Sequence, residues 1–274
     1  MDGIGLMLGT FARRGFWILL IMYFVLPMLA MARFALQTVP TFMLNSHTLF
    51  KGWGFSEFMV AFKDPGVIKS TVLSLELTAL TIALTFLMLV PLTTLIEIKA
   101  PRLKPVMTGA TVLSWLVPPV ALVVGVAGTF REVFPGFLSS ALNLTYFYAL
   151  WMLPFTYRAL DGQLRLIGAR NLYEAAQSVG CTPITFFFKI ILPNIKSSLY
   201  ISASLIVASV LGEFTFASLL LKQTMPVYMW HFQTSETRAG FALALVVMIA
   251  TALILGLAVA RLRKRGINFS ATGI

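Results

Sequence analysis

The feature that most limits what this chain can become is its succession of long apolar runs, each nearly free of charge. A helix crosses the hydrocarbon core of a bilayer in about 20 mostly apolar residues. Inside that core each backbone N–H and C=O must find its partner within the protein. Runs of suitable length lie at about residues 16–36, 70–96, 106–128, 140–160, 199–221 and 240–260. They are continuous rather than alternating, which argues against a membrane barrel. The chain therefore reads as all-α, a polytopic membrane protein with six transmembrane helices in a single domain over residues 1–274. Composition agrees: 58% of residues are hydrophobic, 11% are charged, and mean hydropathy is +0.88. Neither a soluble globular domain nor a disordered chain has that balance.

Arg13 and Arg14 ahead of the first run give it the look of a secretory signal, but no clear small-x-small cleavage pattern follows. It is read as a retained span. The basic residues then set the orientation. Arg13 and Arg14 precede the first span, and Lys99, Arg102 and Lys104 lie between the second and third. Arg158, Arg165, Arg170, Lys189 and Lys196 lie around the connection between the fourth and fifth, and Arg261, Arg263, Lys264 and Arg265 follow the sixth. Basic flanks mark the cytoplasmic side, so both termini are placed in the cytoplasm of a bacterial inner membrane. The same bias explains the net charge of +11 without nucleic acid, since no basic stripe is interleaved with aromatic residues.

Catalytic parts are missing from the sequence. Cys181 is the one cysteine, and His47 and His231 lie far apart, so neither a disulfide nor a metal-ligand spacing is expected. No serine–histidine–acid set can be placed in one site, and no G-x-x-x-x-G-K-[ST] loop is present. The reading is a permease and not an enzyme, with no cofactor of its own.

Three connections face outward. The first, about residues 37–69, carries Trp53, Phe55, Phe58 and Phe62, which suit a short amphipathic helix or plain packing against the spans. The second holds the turn pair Pro135-Gly136, and the third, about 222–239, holds Pro226, Tyr228, Trp230 and His231.

The cytoplasmic connection at about 161–198 is too long for a plain linker. Asn171 is suited to cap a helix with Glu174 in its first turn, and Gly180 is suited to end it. Thr182 then caps a second helix with Pro183 at its first position, and Phe186–Leu192 make that helix apolar before Pro193. Local chemistry alone thus gives two short helices joined at a glycine turn. An interfacial hairpin without a partner remains the plainer alternative.

This loop resembles the family of binding-protein-dependent ABC importer permeases. The family pattern is E-A-A, three residues, G, nine residues, I-x-L-P. Here it reads Glu174-Ala175-Ala176, Gly180, Ile190, Leu192 and Pro193. Cys181 stands where alanine is usual, and Ser197 where a further proline is common. The resemblance implies that the loop is a coupling helix seated on a dimer of ABC ATPase subunits, which bind the ATP. It also implies a second permease subunit, related but different, and a soluble substrate-binding protein. The segment Gly212–Leu221 and the short stretch before the first span are most similar to the polyamine (spermidine/putrescine) branch. Phosphonate, ferric iron and thiamine permeases are close alternatives, and an ion-coupled secondary transporter is a more distant one.

Polar groups within spans are costly in lipid and normally face the bundle interior. Glu76, Trp115, Ser209 and Glu213 are therefore candidates for the substrate path, with Ser114, Tyr146 and Trp151 behind them. For each of them, packing or an interhelical hydrogen bond is the plainer role. Gly212-Glu213-Phe214 also resembles a segment of oxyanion carriers, so the acidity of Glu213 does not fix a cationic substrate. Pro91, Pro118-Pro119 and Pro154 are expected to interrupt their spans.

Overall fold

Helices occupy every apolar run, but not all of them are straight rods. The computed structural model describes residues 2–39, 43, 45, 47–48 and 51–264. Arg265, placed above among the cytoplasmic charges, lies outside the described residues. The long elements are α1 (Asp2–Leu36), α3 (Pro65–Lys99), α6 (Leu144–Leu166) and α13 (Thr237–Lys264), with the short α2 (Ser56–Lys63) before α3. Between them come α4 (Lys104–Leu116), α5 (Pro119–Val133), α7 (Ala169–Ser178), α8 (Pro183–Phe186), α9 (Leu192–Asn194), α10 (Lys196–Leu211), α11 (Thr215–Leu219) and α12 (Met225–Ser235).

Gly15–Leu36, Pro65–Lys99 and Thr237–Ile254 are each long and apolar enough to cross a bilayer unaided. The third expected span is instead a bent pair, α4 and α5, turning through 92°. Tandem Pro118-Pro119 removes two successive donors and forces the ring of each against the turn before it, which a helix cannot absorb. Pro91 and Pro154 behave otherwise. Each lies inside a continuous helix, α3 and α6, so the expected interruptions there do not occur. One missing donor is tolerated where neighbouring helices cover the freed carbonyl.

The expected fifth span also departs from a rod. Residues 183–194 meet α10 at 67°, and α10 ends at Leu211 rather than continuing to Leu221. Pro193 withdraws the donor that the Lys189 carbonyl would use, and the turn over Phe187–Ile191 is a wide π turn. Asn194 repairs part of the break by donating its Nδ2 to the Ile190 carbonyl at 2.8 Å. The expected fourth span is α6, whose last turns carry Arg158, Asp161 and Arg165 beyond its apolar part.

The chain divides into two compact units, residues 1–68 with 228–250, and residues 69–227 with 251–274. In the first unit, the 18-residue apolar window of α1 has none of its residues buried within the protein, as suits a helix that meets lipid. Its end is tied down by polar contacts. Gln37 bridges to Trp53, the Gly54 N–H donates to the Leu36 carbonyl, and the Arg238 guanidinium donates to the carbonyls of Gln37 and Val39. Of the two readings of the 37–69 loop, the short helix is present as α2, which buries Ala61 and exposes Met59 and Phe62, with exposed Phe55 just ahead of it. Beyond it the Tyr228 hydroxyl donates to Asp64 Oδ1 at 2.7 Å. That contact needs Gly66, where a Cβ would come within 2.2 Å of the Tyr228 ring and hydroxyl.

The second unit packs around two apolar clusters. One gathers Leu77, Leu144, Phe147, Met152, Ile206 and Phe216. The other gathers Leu89, Val90, Leu160, Leu164, Phe186, Ile191 and Ile195. Both α3 and α6 run through the two clusters and make them one bundle. Four of the hydroxyls buried along α3 serve themselves: Thr78, Thr81, Thr93 and Thr94 each donate to the carbonyl one turn back, at 2.6–2.7 Å. This closure is the usual solution for Ser and Thr within a membrane helix.

Burial works to raise the Asp64 carboxyl, but hydrogen bonds from the Tyr228 hydroxyl and the Val67 and Gly66 backbone outweigh it and hold the carboxyl below its ordinary range. A carboxyl lowered by folding contributes stability that is complete above its unfolded pKa and is lost as pH falls through the folded one. Tyr228→Phe is expected to lower stability by about 1 kcal/mol near neutral pH. It should also make the loss on acidification smaller. Thermal unfolding of the purified protein from neutral to acid pH checks both.

Candidate functional site

The loop between α6 and α10 takes the expected helix–glycine–helix form, with one change at its start. Helix α7 begins at Ala169, and Gly168 in left-handed conformation (φ +61°) precedes it. Asn171 therefore lies inside the helix and is not its cap, and Glu174 lies past the first turn. Gly168 succeeds where Asn171 fails because it lets the chain turn directly out of α6: the Gly168 N–H donates to the Arg165 carbonyl, and the Leu172 N–H to the Gly168 carbonyl.

The far end of α7 follows from Gly180. The Cys181 N–H donates to the Ala176 carbonyl and the Gly180 N–H to the Gln177 carbonyl, both at 2.9 Å. This paired closure requires a left-handed residue, and Gly180 supplies φ +78°. Thr182 then caps α8 as expected, its hydroxyl accepting from the Thr185 N–H at 3.3 Å, with Pro183 at the first position.

The signature residues divide by face. Ala176 is buried with Tyr173, Phe186, Ile191 and Ile195, and Ile190 and Leu192 are half-buried against the same cluster. These hold the loop to the bundle. Gln163 on α6 adds a clamp by donating to the Asn194 carbonyl at 3.1 Å, beside Pro193. Glu174 and Ala175 face outward, as do Leu172, Val179 and Ile184. Glu174 is 62% exposed, and among the described residues its carboxylate meets only Arg170 one turn away, at 3.1 Å. An ion pair that open to water holds little stability. The carboxylate is thus left uncommitted on a surface whose other side is firmly packed.

The path candidates are not gathered at one point. Glu76 is exposed on α3, one face round from buried Leu77 and Thr78. Ser209 is half-buried on α10. Trp115 and Glu213 are connected, however, by side chains in between. The Trp115 ring lies 5.3 Å from Trp151 and 5.4 Å from Phe155, and Trp151 lies 5.8 Å from Phe216. The Phe216 N–H donates to Glu213 Oε1 at 2.8 Å, and the Ala217 N–H to Oε2 at 3.3 Å. Glu213 thereby supplies acceptors for the first turn of α11, where a carboxylate is favoured. Phe216 and Phe155 were missed in the sequence reading because nothing in their spacing sets them apart from ordinary packing rings.

The far end of α11 repeats the closure seen at Gly180, with a leucine at the left-handed position. Leu221 has φ +55° and is 86% exposed, while the Lys222 N–H donates to the Ala217 carbonyl at 2.8 Å. Lys222 Nζ also donates to the Ser139 carbonyl at 2.8 Å. A cavity of about 300 Å³ opens between Leu80, Leu84 and Leu87 of α3 and Thr145 and Tyr146 of α6, and none of Glu76, Trp115, Ser209 or Glu213 lines it. Among the described residues no three His, Cys, Asp or Glu side chains converge.

A family model described as binding-protein-dependent transport system inner membrane component matches residues 90–267, which include α4–α12 and the whole loop between α6 and α10. A solved structure described as a bacterial ABC transporter involved in the import of the acidic polysaccharide alginate matches with a TM-score of 0.56. The two are 16% identical, and the match covers 94% of this chain and 97% of that one. At that identity the likeness is one of fold. Comparison with curated proteins returned no match.

Glu213→Ala is expected to destabilise the start of α11 by about 1 kcal/mol, the usual cost of removing a cap. Glu213→Gln, which keeps one oxygen, should cost less. Hydrogen exchange over residues 215–221 reads the effect directly, and unchanged protection in Glu213→Ala would refute the capping role.

Proposed function

This chain belongs to the family of binding-protein-dependent transport system inner membrane components, and from that premise we propose that it is the transmembrane subunit of an ATP-driven importer of the ABC type. It is a multi-pass membrane permease component and not an enzyme. In this reading a dimer of ATPase subunits binds and hydrolyses the ATP and receives the loop from α7 to Pro193. The chain forms half of the path for a small solute, delivered by a soluble binding protein. A second permease, related but different, forms the other half, and both termini of this chain lie in the cytoplasm.

The observation that carries the proposal is the division of the loop. Its inner side is packed through Ala176, Ile190, Ile191 and Leu192, and its outer side presents Glu174 with no structural task beyond a solvated ion pair. A surface held rigidly from behind and left uncommitted in front is suited to transmit a push. ATP-driven closure of two ATPases would draw two such loops together and rock the permeases between inward-facing and outward-facing states. The fold likeness to a bacterial ABC transporter supports the class. For the solute we propose a polyamine, supported by the likeness of Gly212–Leu221 to that branch. Phosphonate, ferric iron and thiamine are the alternatives.

Glu174→Ala is expected to change stability by less than about 1 kcal/mol. Gly180→Ala is expected to cost about 1–2 kcal/mol, because its new Cβ meets nothing within 4 Å and only the left-handed backbone resists it. Both variants should fold, and both should lose the stimulation of ATP hydrolysis by binding protein and solute in the complex purified from native membranes. Full stimulation in both would rule out docking through this loop. A chain that repeatedly purifies without an ATPase would favour an ion-coupled transporter.

A further inference from the structure

Three buried hydroxyls in the second unit, on Thr85 of α3, Thr156 of α6 and Ser202 of α10, have no hydrogen-bond partner among the described residues. Each of the three residues is no more than 1% exposed. A hydroxyl of this kind has a ready partner in the carbonyl one turn back, and Thr78, Thr81, Thr93 and Thr94 use it. Thr85, Thr156 and Ser202 do not.

The two apolar clusters place all three at one level of the bundle. On α6, Met152 of the first cluster lies one turn before Thr156, and Leu160 of the second lies one turn after it. On α10, Leu199 packs on the second cluster just before Ser202, and Ile206 of the first lies one turn after it. On α3, Ile82 packs on the first cluster just before Thr85, and Leu89 of the second lies one turn after it. Phe86, next to Thr85, packs against both clusters. The unpaired hydroxyls therefore mark the boundary between the clusters on each of the three helices, and α6 and α10 pack directly on each other.

A hydroxyl removed from bulk water without a hydrogen bond is costly. One such group could be a local misfit. Three at one level, on three helices, form the partner set of a buried water, which makes about three hydrogen bonds to otherwise unsatisfied groups.

We propose that Thr85, Thr156 and Ser202 hold buried water in common, as a hydrated layer between the two apolar clusters. The layer has a mechanical consequence, which rests on the permease reading. The loop from α7 to Pro193 is packed on the second cluster. Close-packed side chains resist sliding, whereas a water can exchange its hydrogen-bond partners. Displacement of the loop is taken up at this layer, as a small shear of the second cluster against the first.

Thermal unfolding of the purified full chain in nanodiscs tests the water. Thr85→Val, Thr156→Val and Ser202→Ala keep nearly the native shape, and each removes one partner of the water. Each is expected to lower the midpoint by about 2 °C or more. Thr156→Val combined with Ser202→Ala should lower it by less than the sum of the two, because they share the water. A dry core predicts the opposite, since an apolar group of the same shape in place of an unpaired hydroxyl is neutral or stabilising. Thr93→Val, at a hydroxyl that closes on its own helix, is the reference and should move the midpoint by less than about 1 °C. An unchanged or raised midpoint in any of the three variants, a loss as large in Thr93→Val, or strict additivity in the pair overturns the layer. Stimulation of ATP hydrolysis in the complex purified from native membranes tests the shear. The double variant should reduce it about threefold or more. Full stimulation with lowered midpoints keeps the water and overturns the shear. A chain that purifies without an ATPase removes the permease reading and the shear with it, while unfolding of the chain alone still decides the water.

Discussion

Backbone hydrogen bonding in a medium without water governs this molecule more than any side-chain contact. A peptide group left unpaired in hydrocarbon costs several kcal/mol, of the same order as the whole stability of a small domain. Long helices are the cheap answer, and α1, α3 and α13 take it. Several departures from that answer have an identifiable substitute. Asn194 and Gln163 serve carbonyls around the Pro193 turn, Glu213 serves the N–H groups that open α11, and Thr78, Thr81, Thr93 and Thr94 of α3 close on their own helix. Where substitutes are fewest, at Pro118-Pro119, the chain bends most sharply.

The loop between α6 and α10 illustrates how rigidity and availability are combined in one short segment. Its apolar residues enter the cluster in the C-terminal parts of α3 and α6, and its glycine fixes the exit direction through backbone geometry alone. Neither device uses Glu174 or Ala175. A surface assembled in this way tolerates substitution of its outer residues without unfolding, so a functional defect there can be separated from a folding defect.

Much of this arrangement was legible in the sequence, and the exceptions share a cause. Span positions, the Gly180 turn and the Thr182-Pro183 start depend on local propensity and on the length of apolar runs. Those properties are written into a few adjacent residues. Asn171 was misread because a favourable capping residue lost to Gly168, whose conformation is set by how α6 must exit. The single prolines at 91 and 154 were misread because their tolerance depends on neighbouring helices. The ring sequence Trp115–Trp151–Phe216 joins three distant segments, and no single stretch of the chain announces it. Leu221 defeats the usual expectation in another way, by taking a backbone conformation that composition assigns to glycine.

The broken third span also bears on how the protein is made. With 13 residues, α4 reaches about 20 Å, well short of the roughly 30 Å hydrocarbon core. Neither it nor the 15-residue α5 can settle across a bilayer as an independent stage of synthesis. The apolar run as a whole is long enough to cross, but its two bent halves each fall short. The bent form thus draws its support from later parts of the sequence, α4 lying against α6 and α5 against α11.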